Sequence, residues 1–127
     1  MGTRAVYTFL DDRGTHHVYK HWDGYPEGAL QFISFAKDKA WPLPRYEADE
    51  FATAFISANK EASGDLRLTE HWNKHGDLEY RYEVRCRPND KDLHVIIYQV
   101  GFGSENSKVM DQGYLCDLMK KYVKKRA

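Results

Sequence analysis

From Leu78 to Arg87 the chain alternates without a fault. Leu78, Tyr80, Tyr82, Val84 and Cys86 fall on one side, and Glu79, Arg81, Glu83, Arg85 and Arg87 on the other. A period of two with this contrast in polarity is a β-strand with one buried face and one wet face. Such a strand cannot stand alone. It needs neighbours to pair its backbone and a layer of structure to cover its apolar side. Whatever else the chain does, it must supply both.

Two helical patterns supply the cover. Over Glu27 to Asp38, Ala29, Phe32, Ile33 and Ala36 recur at helical spacing, and Ala40 continues the stripe. Pro26 suits a first turn and Glu27 suits the positive end of a helix. Trp41-Pro42-Leu43-Pro44 ends the pattern, because neither proline can extend the hydrogen-bond ladder. This stiff apolar run is expected to pin Trp41 against the core. Over Tyr46 to Ala62, Ala48, Phe51, Ala52, Phe55 and Ala58 form a second stripe. Glu47, Asp49 and Glu50 come early and Lys60 late, matching the macrodipole. Ser63-Gly64-Asp65 offers a glycine C-cap.

The remaining patterns are mostly strands. Ala5 to Leu10 is rich in aromatic and β-branched residues. Asp11-Asp12-Arg13-Gly14 turns it back into a second strand, Thr15 to Trp22. Period two places His16, Val18, Lys20 and Trp22 on one face of that strand and His17, Tyr19 and His21 on the other. After the helices come Leu66 to Trp72, the alternating segment, and Leu93 to Phe102. The last of these is the most apolar and the expected centre of the sheet. Gly101-Phe102-Gly103-Ser104 breaks the sheet, and Ser104 or Ser107 is placed to cap a final helix. That helix is expected over Ser107 to Lys124, with Asp111, Tyr114, Leu115, Leu118 and Tyr122 on one side and Gly113 as a weak point. The order is β-β-α-α-β-β-β-α. Short links between strands predict a mainly antiparallel, five-stranded sheet with the helices on one face. This is a two-layer α+β sandwich forming a single domain over residues 1–127.

Charge and cysteine usage narrow the function. Nineteen basic and nineteen acidic residues cancel, which argues against capture of nucleic acid or membrane by overall charge. Local patches escape that argument. Arg85 and Arg87, with Lys120, Lys121, Lys124 and Lys125, are placed to contact phosphate, although Glu79 and Glu83 interleave the strand arginines as on an ordinary solvated face. Cys86 and Cys116 lie far apart and neither sits in a CxxC pair, so a disulfide framework or zinc ribbon is not supported. Both read as free, structural thiols in a reducing compartment. No apolar run reaches the roughly 18 residues of a membrane span. Met1-Gly2-Thr3-Arg4 leads into a strand with no signal-peptide stretch. A cytoplasmic protein is expected.

The densest stretch is Lys20-His21-Trp22-Asp23-Gly24-Tyr25-Pro26-Glu27-Gly28, where strand pattern gives way to helix pattern. As a corner, it has Gly24 for unusual backbone angles, Pro26 for a fixed φ, and Asp23 to cap the turn. Trp22 and Tyr25 are expected to wedge the hairpin against the helices. As chemistry, His21 and Asp23 are spaced to ligate a metal or to form a base and its orienter, which would make a metal-dependent hydrolase or nuclease. A catalytic metal needs a third protein ligand. His16, His17, His71, His75 and Glu27 are the available donors, at no known spacing such as HExxH. No cofactor is implied. As a surface, Trp22, Tyr25 and Glu27, together with Arg81, Arg85 and Arg87, include the residue types that anchor protein interfaces.

Over His21-Trp22-Asp23-Gly24-Tyr25-Pro26-Glu27 the chain resembles a group of small proteins encoded by bacteriophages, prophages and other bacterial mobile elements. Members of that group open with a β-hairpin ending in a HWDGYPE-type motif and continue into a helix. The likeness covers about residues 4 to 40. Glu79-Tyr80-Arg81-Tyr82 and His94 to Tyr98 are similar to the group's aromatic-rich strands. The resemblance implies an accessory protein working in the cytoplasm of a bacterial host cell. Its implied partner is a host protein or protein complex, including a defence complex inhibited in the manner of anti-CRISPR proteins. It brings no reaction and no catalytic residue. A homodimer fits the same expectations, two-fold dimers being the commonest oligomers.

Overall fold

The computed structural model describes residues 3–63, 65–74, 76–101 and 107–123. The elements in chain order are β1 (Ala5–Leu10), β2 (Thr15–Lys20), α1 (Pro26–Lys39), α2 (Ala48–Ser63), β3 (Leu66–Thr69), β4 (Tyr80–Arg85), β5 (His94–Val100), β6 (Ser107–Tyr114) and α3 (Leu115–Tyr122). They form one sheet in the order β3-β2-β1-β4-β5-β6, with the helices packed on one face. The α+β class is the one that the sequence patterns require. The sheet has six strands rather than five.

Four of its pairings are antiparallel; β1 and β4 run parallel, with Tyr7 opposite Tyr82 and Phe9 opposite Val84. The centre is therefore β1 and β4, not β5. The burial pattern gives the reason. Ala5, Val6, Tyr7, Thr8 and Phe9 are all buried, so β1 is covered on both faces. On β5 only Val95, Ile97 and Val100 are buried, while Ile96 and Tyr98 are half-exposed.

The core is built from rings. Tyr7 lies 4.6 Å from Phe55 and 5.2 Å from Tyr82 between ring centroids, and Phe9 lies 5.4 Å from Phe51. Each such ring withdraws roughly 150–250 Å² from water, about 4–6 kcal/mol before chain entropy is counted. The stripe on α2 is buried at Ala48, Phe51, Ala52 and Phe55. The start of α2 is held from a distance. Asp11 Oδ2 accepts the Ala48 amide at 2.8 Å, while Oδ1 accepts the amides of Arg13 and Gly14 at 2.8 and 3.0 Å. One carboxylate thus closes the β1–β2 turn and satisfies an orphan donor of a helix start.

The largest departure from the sequence patterns is at the C-terminus. The segment expected to be helical from Ser107 is strand β6 up to Tyr114, and only Leu115–Tyr122 is helix. The outer edge of β5 presents unpaired backbone groups, and pairing satisfies them. Gly113 and Val109 are poor helix formers, so little is lost locally. Leu115 and Leu118 are buried as helix residues, whereas Asp111 joins them from the strand by accepting from Tyr122 Oη at 2.8 Å. Ser107 pairs with Val100 and caps no helix. The other proposed cap, Ser104, lies outside the described residues, as do Phe102, Gly103 and the C-cap glycine Gly64.

The remaining departures are smaller. β2 stops at Lys20 because His21 begins the corner, and β3 stops at Thr69, short of Trp72. Leu78 precedes β4 and packs with Val6, Tyr19 and Val100 on the face away from the helices. Trp41 is not pinned in the core. It is 38% exposed, and the Arg45 guanidinium lies 3.6 Å from its ring centroid. Among the described residues no helix is long and apolar enough to cross a membrane.

Candidate functional site

The corner after β2 is locked from four directions. Asp23 adopts φ 57°, in the left-handed region, and no side chain caps α1. Asp23 therefore turns the chain through its backbone rather than through an Asx cap. Gly24 is packed so closely that a Cβ there would lie 2.6 Å from Ala5 Cβ and 2.8 Å from the Thr3 carbonyl oxygen. Its amide donates to that same oxygen at 2.8 Å, and its carbonyl accepts from the Tyr82 hydroxyl. Lys20 is fully buried. Its Nζ donates to the Trp22 carbonyl at 2.7 Å and lies 4.2 Å from the Phe32 ring centroid. Burial holds this ammonium below the usual lysine pKa, and Asp23 partly offsets the effect. Beneath the corner the Tyr7 hydroxyl is buried and makes no hydrogen bond among the described residues. Burial, then the charge of Asp23, raise its pKa well above the usual tyrosine value.

This rigid corner turns its rings outward. Trp22 is 44% exposed and Tyr25 is 40% exposed, so neither wedges the hairpin against the helices. The packing expected of them is done by Gly24, Pro26 and Gly28, all buried. Glu27 is exposed on the first turn of α1. The His21 ring sits edge-on to Trp22 at 4.6 Å, and its Nδ1 shares a hydrogen bond with the Tyr19 hydroxyl at 2.9 Å.

The three strand arginines have different fates. Arg81 projects onto the sheet face opposite the helices and is held between two rings, 4.5 Å from Trp72 and 4.7 Å from Tyr98. Its Nη2 donates to Glu83 at 3.0 Å, and the Tyr98 hydroxyl donates to the other Glu83 oxygen at 2.6 Å. Burial, then the bond to Glu83, raise the Tyr98 pKa. Beside this cluster, Thr8 Oγ1 and His17 Nδ1 are 2.9 Å apart. Burial, reinforced by Arg81, His71 and His16, holds His17 below the usual histidine pKa. Arg87 lies past the end of β4 and pairs with Asp90 at 3.3 Å. Arg85 has no ion pair among the described residues. The structure thus brings Arg81 and Arg85 onto one strand face and keeps Trp22, Tyr25 and Glu27 together at the corner.

His21 and Asp23 are neighbours in the corner, but no group of three or more His, Cys, Asp or Glu side chains placed to hold a metal ion occurs among the described residues. Cys116 is exposed and Cys86 is half-buried. Burial raises both thiol pKa values, followed by Asp90 for Cys86 and by the hydrogen bond with Asp92 for Cys116. At the C-terminus Lys121 is tied to Asp111 at 2.6 Å and Lys120 is exposed. Lys124 and Lys125 lie outside the described residues.

Sequence reasoning missed Trp72, Tyr98, His94 and the Tyr82 hydroxyl as working groups. Each depends on cross-strand register or on a loop folding over the sheet, which period two does not encode. Lys20 did carry a signal, since its parity with Val18 pointed it inward. Family models, curated proteins and solved structures give no match to this chain.

Proposed function

We propose that this chain works by binding a macromolecule, a protein or protein complex of a bacterial host cell, and that Trp22 and Tyr25 are its anchors. One observation carries the reading. Two large rings stand 44% and 40% exposed on a backbone locked by Gly24, Gly28, Lys20 and Tyr82. Single exposed apolar side chains are ordinary on protein surfaces. Two rings on one tied-down stretch of backbone, three residues apart and with an acidic group beside them, are different. The backbone entropy of this segment is spent in folding, so less remains to be lost on contact. Trp and Tyr are the residue types that dominate interface energetics. The HWDGYPE stretch is this same corner, and its resemblance to phage and mobile-element proteins supports a host-directed accessory role. Inhibition of a defence complex is the form of that role the resemblance favours.

The test uses the tagged protein and the double variant Trp22→Ala/Tyr25→Ala. A partner captured from bacterial lysate is identified by mass spectrometry, purified and titrated against both. The expected result is an unchanged melting temperature and an affinity loss of roughly thirtyfold or more, the scale of one interface hot spot. Equal binding by the double variant sinks the reading. Capture of nucleic acid alone, weakening steeply with salt, replaces it with a nucleic-acid-binding role. Stoichiometric metal lost in His21→Ala or Asp23→Ala replaces it with metal-dependent hydrolysis.

A further inference from the structure

We infer that the cleft at the carboxyl ends of β1 and β4 binds a small organic anion, a carboxylate or phosphate carried on an apolar body, with Arg85 as the anion-binding residue. These two strands are the one parallel pair among the described residues. They end side by side, and the chain leaves them in opposite directions, through the Asp11–Gly14 turn and through the Arg87–Asp90 turn. Between the departing segments lies a cavity of about 710 Å³. Open sheets take ligands outside the carboxyl ends of parallel strands, where such a crevice forms. Small-molecule sites run to roughly 300–1,000 Å³.

The walls suit an apolar body. Leu10, Pro44, Tyr46 and Pro88 line the cavity. The Tyr46 hydroxyl is spent on the carbonyl oxygens of Leu10 and Val84, at 3.2 and 3.0 Å.

The charge suits an oxyanion. Arg85 lines the cavity. The other two strand arginines have carboxylate partners in Glu83 and Asp90; among the described residues Arg85 has none. A planar guanidinium matches carboxylate and phosphate oxygens. Of the two acids in the cavity wall, Asp11 is already used by three backbone amides. Asp12 is exposed, and its charge opposes an anion. That opposition provides an independent variant.

Isothermal titration of the full chain with phenyl phosphate, benzoate and inorganic phosphate tests this. Saturable binding of phenyl phosphate or benzoate is expected, with inorganic phosphate weaker because it lacks the apolar body. Which of the two organic anions binds better identifies the head group. Arg85→Gln should weaken binding roughly tenfold or more, the worth of a charge-assisted hydrogen bond. Asp12→Asn should tighten it. Absence of saturable binding of either organic anion up to about 10 mM overturns the site, as does an Arg85→Gln protein that binds like the parent. If Arg85→Gln fails to fold in a thermal melt, Asp12→Asn decides. Tightening supports the anion site, and unchanged or weakened binding refutes it.

Discussion

The hydroxyl of Tyr82, in the middle of the sheet, donates to the carbonyl oxygen of Gly24, 58 residues away at the corner, at a separation of 2.5 Å. Both groups are buried, so the bond has no substitute in water. Tyr82→Phe keeps the ring that stacks on Tyr7 and removes only the donor. We expect a loss of about 1–3 kcal/mol in urea denaturation, the cost of leaving one buried acceptor unpaired. Amide exchange at Gly24, whose N–H is held by Thr3, should accelerate in the same variant. Unchanged stability and exchange would show that the hydroxyl does not hold the corner.

Gly28 offers a test by sign. In the interior of a helix, alanine is favoured over glycine by about 1 kcal/mol. Here a Cβ would sit 2.6 Å from the Asp23 carbonyl oxygen, a backbone atom on the turn that a flexible side chain cannot replace. Gly28→Ala is therefore expected to destabilise, by about 1–3 kcal/mol, as overpacking does. A raised melting temperature would mean that the corner yields, and with it the argument that Trp22 and Tyr25 are rigidly displayed.

Asp92, just before β5, links α1 to α3 and carries a pH signature. Oδ1 accepts from Lys37 Nζ on α1 at 2.8 Å and from the Leu93 amide at 2.8 Å, and Oδ2 accepts from the Cys116 amide on α3 at 3.0 Å. Burial alone would raise the pKa of this carboxyl, but these bonds outweigh it and hold the group below the usual aspartate value. A depressed folded-state pKa means that the unfolded chain binds the proton more tightly. The stabilisation is then complete above the ordinary aspartate pKa and is lost as pH falls through the lower, folded value. Asp92→Ala should cost about 2–3 kcal/mol at neutral pH, the scale of a buried charge-assisted pair. Denaturant melts should show that gap constant from about pH 7 to about pH 5 and closing below about pH 4. A gap that stays constant into acid would assign the loss to the missing side-chain volume.

Local periodicity made much of the fold legible. The Ala48, Phe51, Ala52, Phe55 stripe is a property of one helix, and the Tyr82 and Val84 parity is a property of one strand. Long-range choices were hidden. Ser107–Tyr114 became strand because β5 offered an edge, and the spacing from Asp111 to Tyr122 imitated one continuous helical face. The parallel seam between β1 and β4 joins residues more than seventy positions apart, and no short-range pattern announces it. The corner was readable as a corner. That Trp22 and Tyr25 would face outward was not, because the space they would have filled is closed by glycine backbone.

The sheet order β3-β2-β1-β4-β5-β6 has a further consequence. Every strand on one side of the parallel seam comes from residues before 70, and every strand on the other side from residues after 79. Each half is a contiguous piece of chain carrying three strands of its own, with α1 and α2 in the first and α3 in the second. Across the divide run the seam itself and a few ties, among them Tyr82 to Gly24, Tyr46 to Val84 and Lys37 to Asp92. The link between β3 and β4 is thus a natural place to cut the chain, since each piece would present an unpaired central strand for which the other is the template.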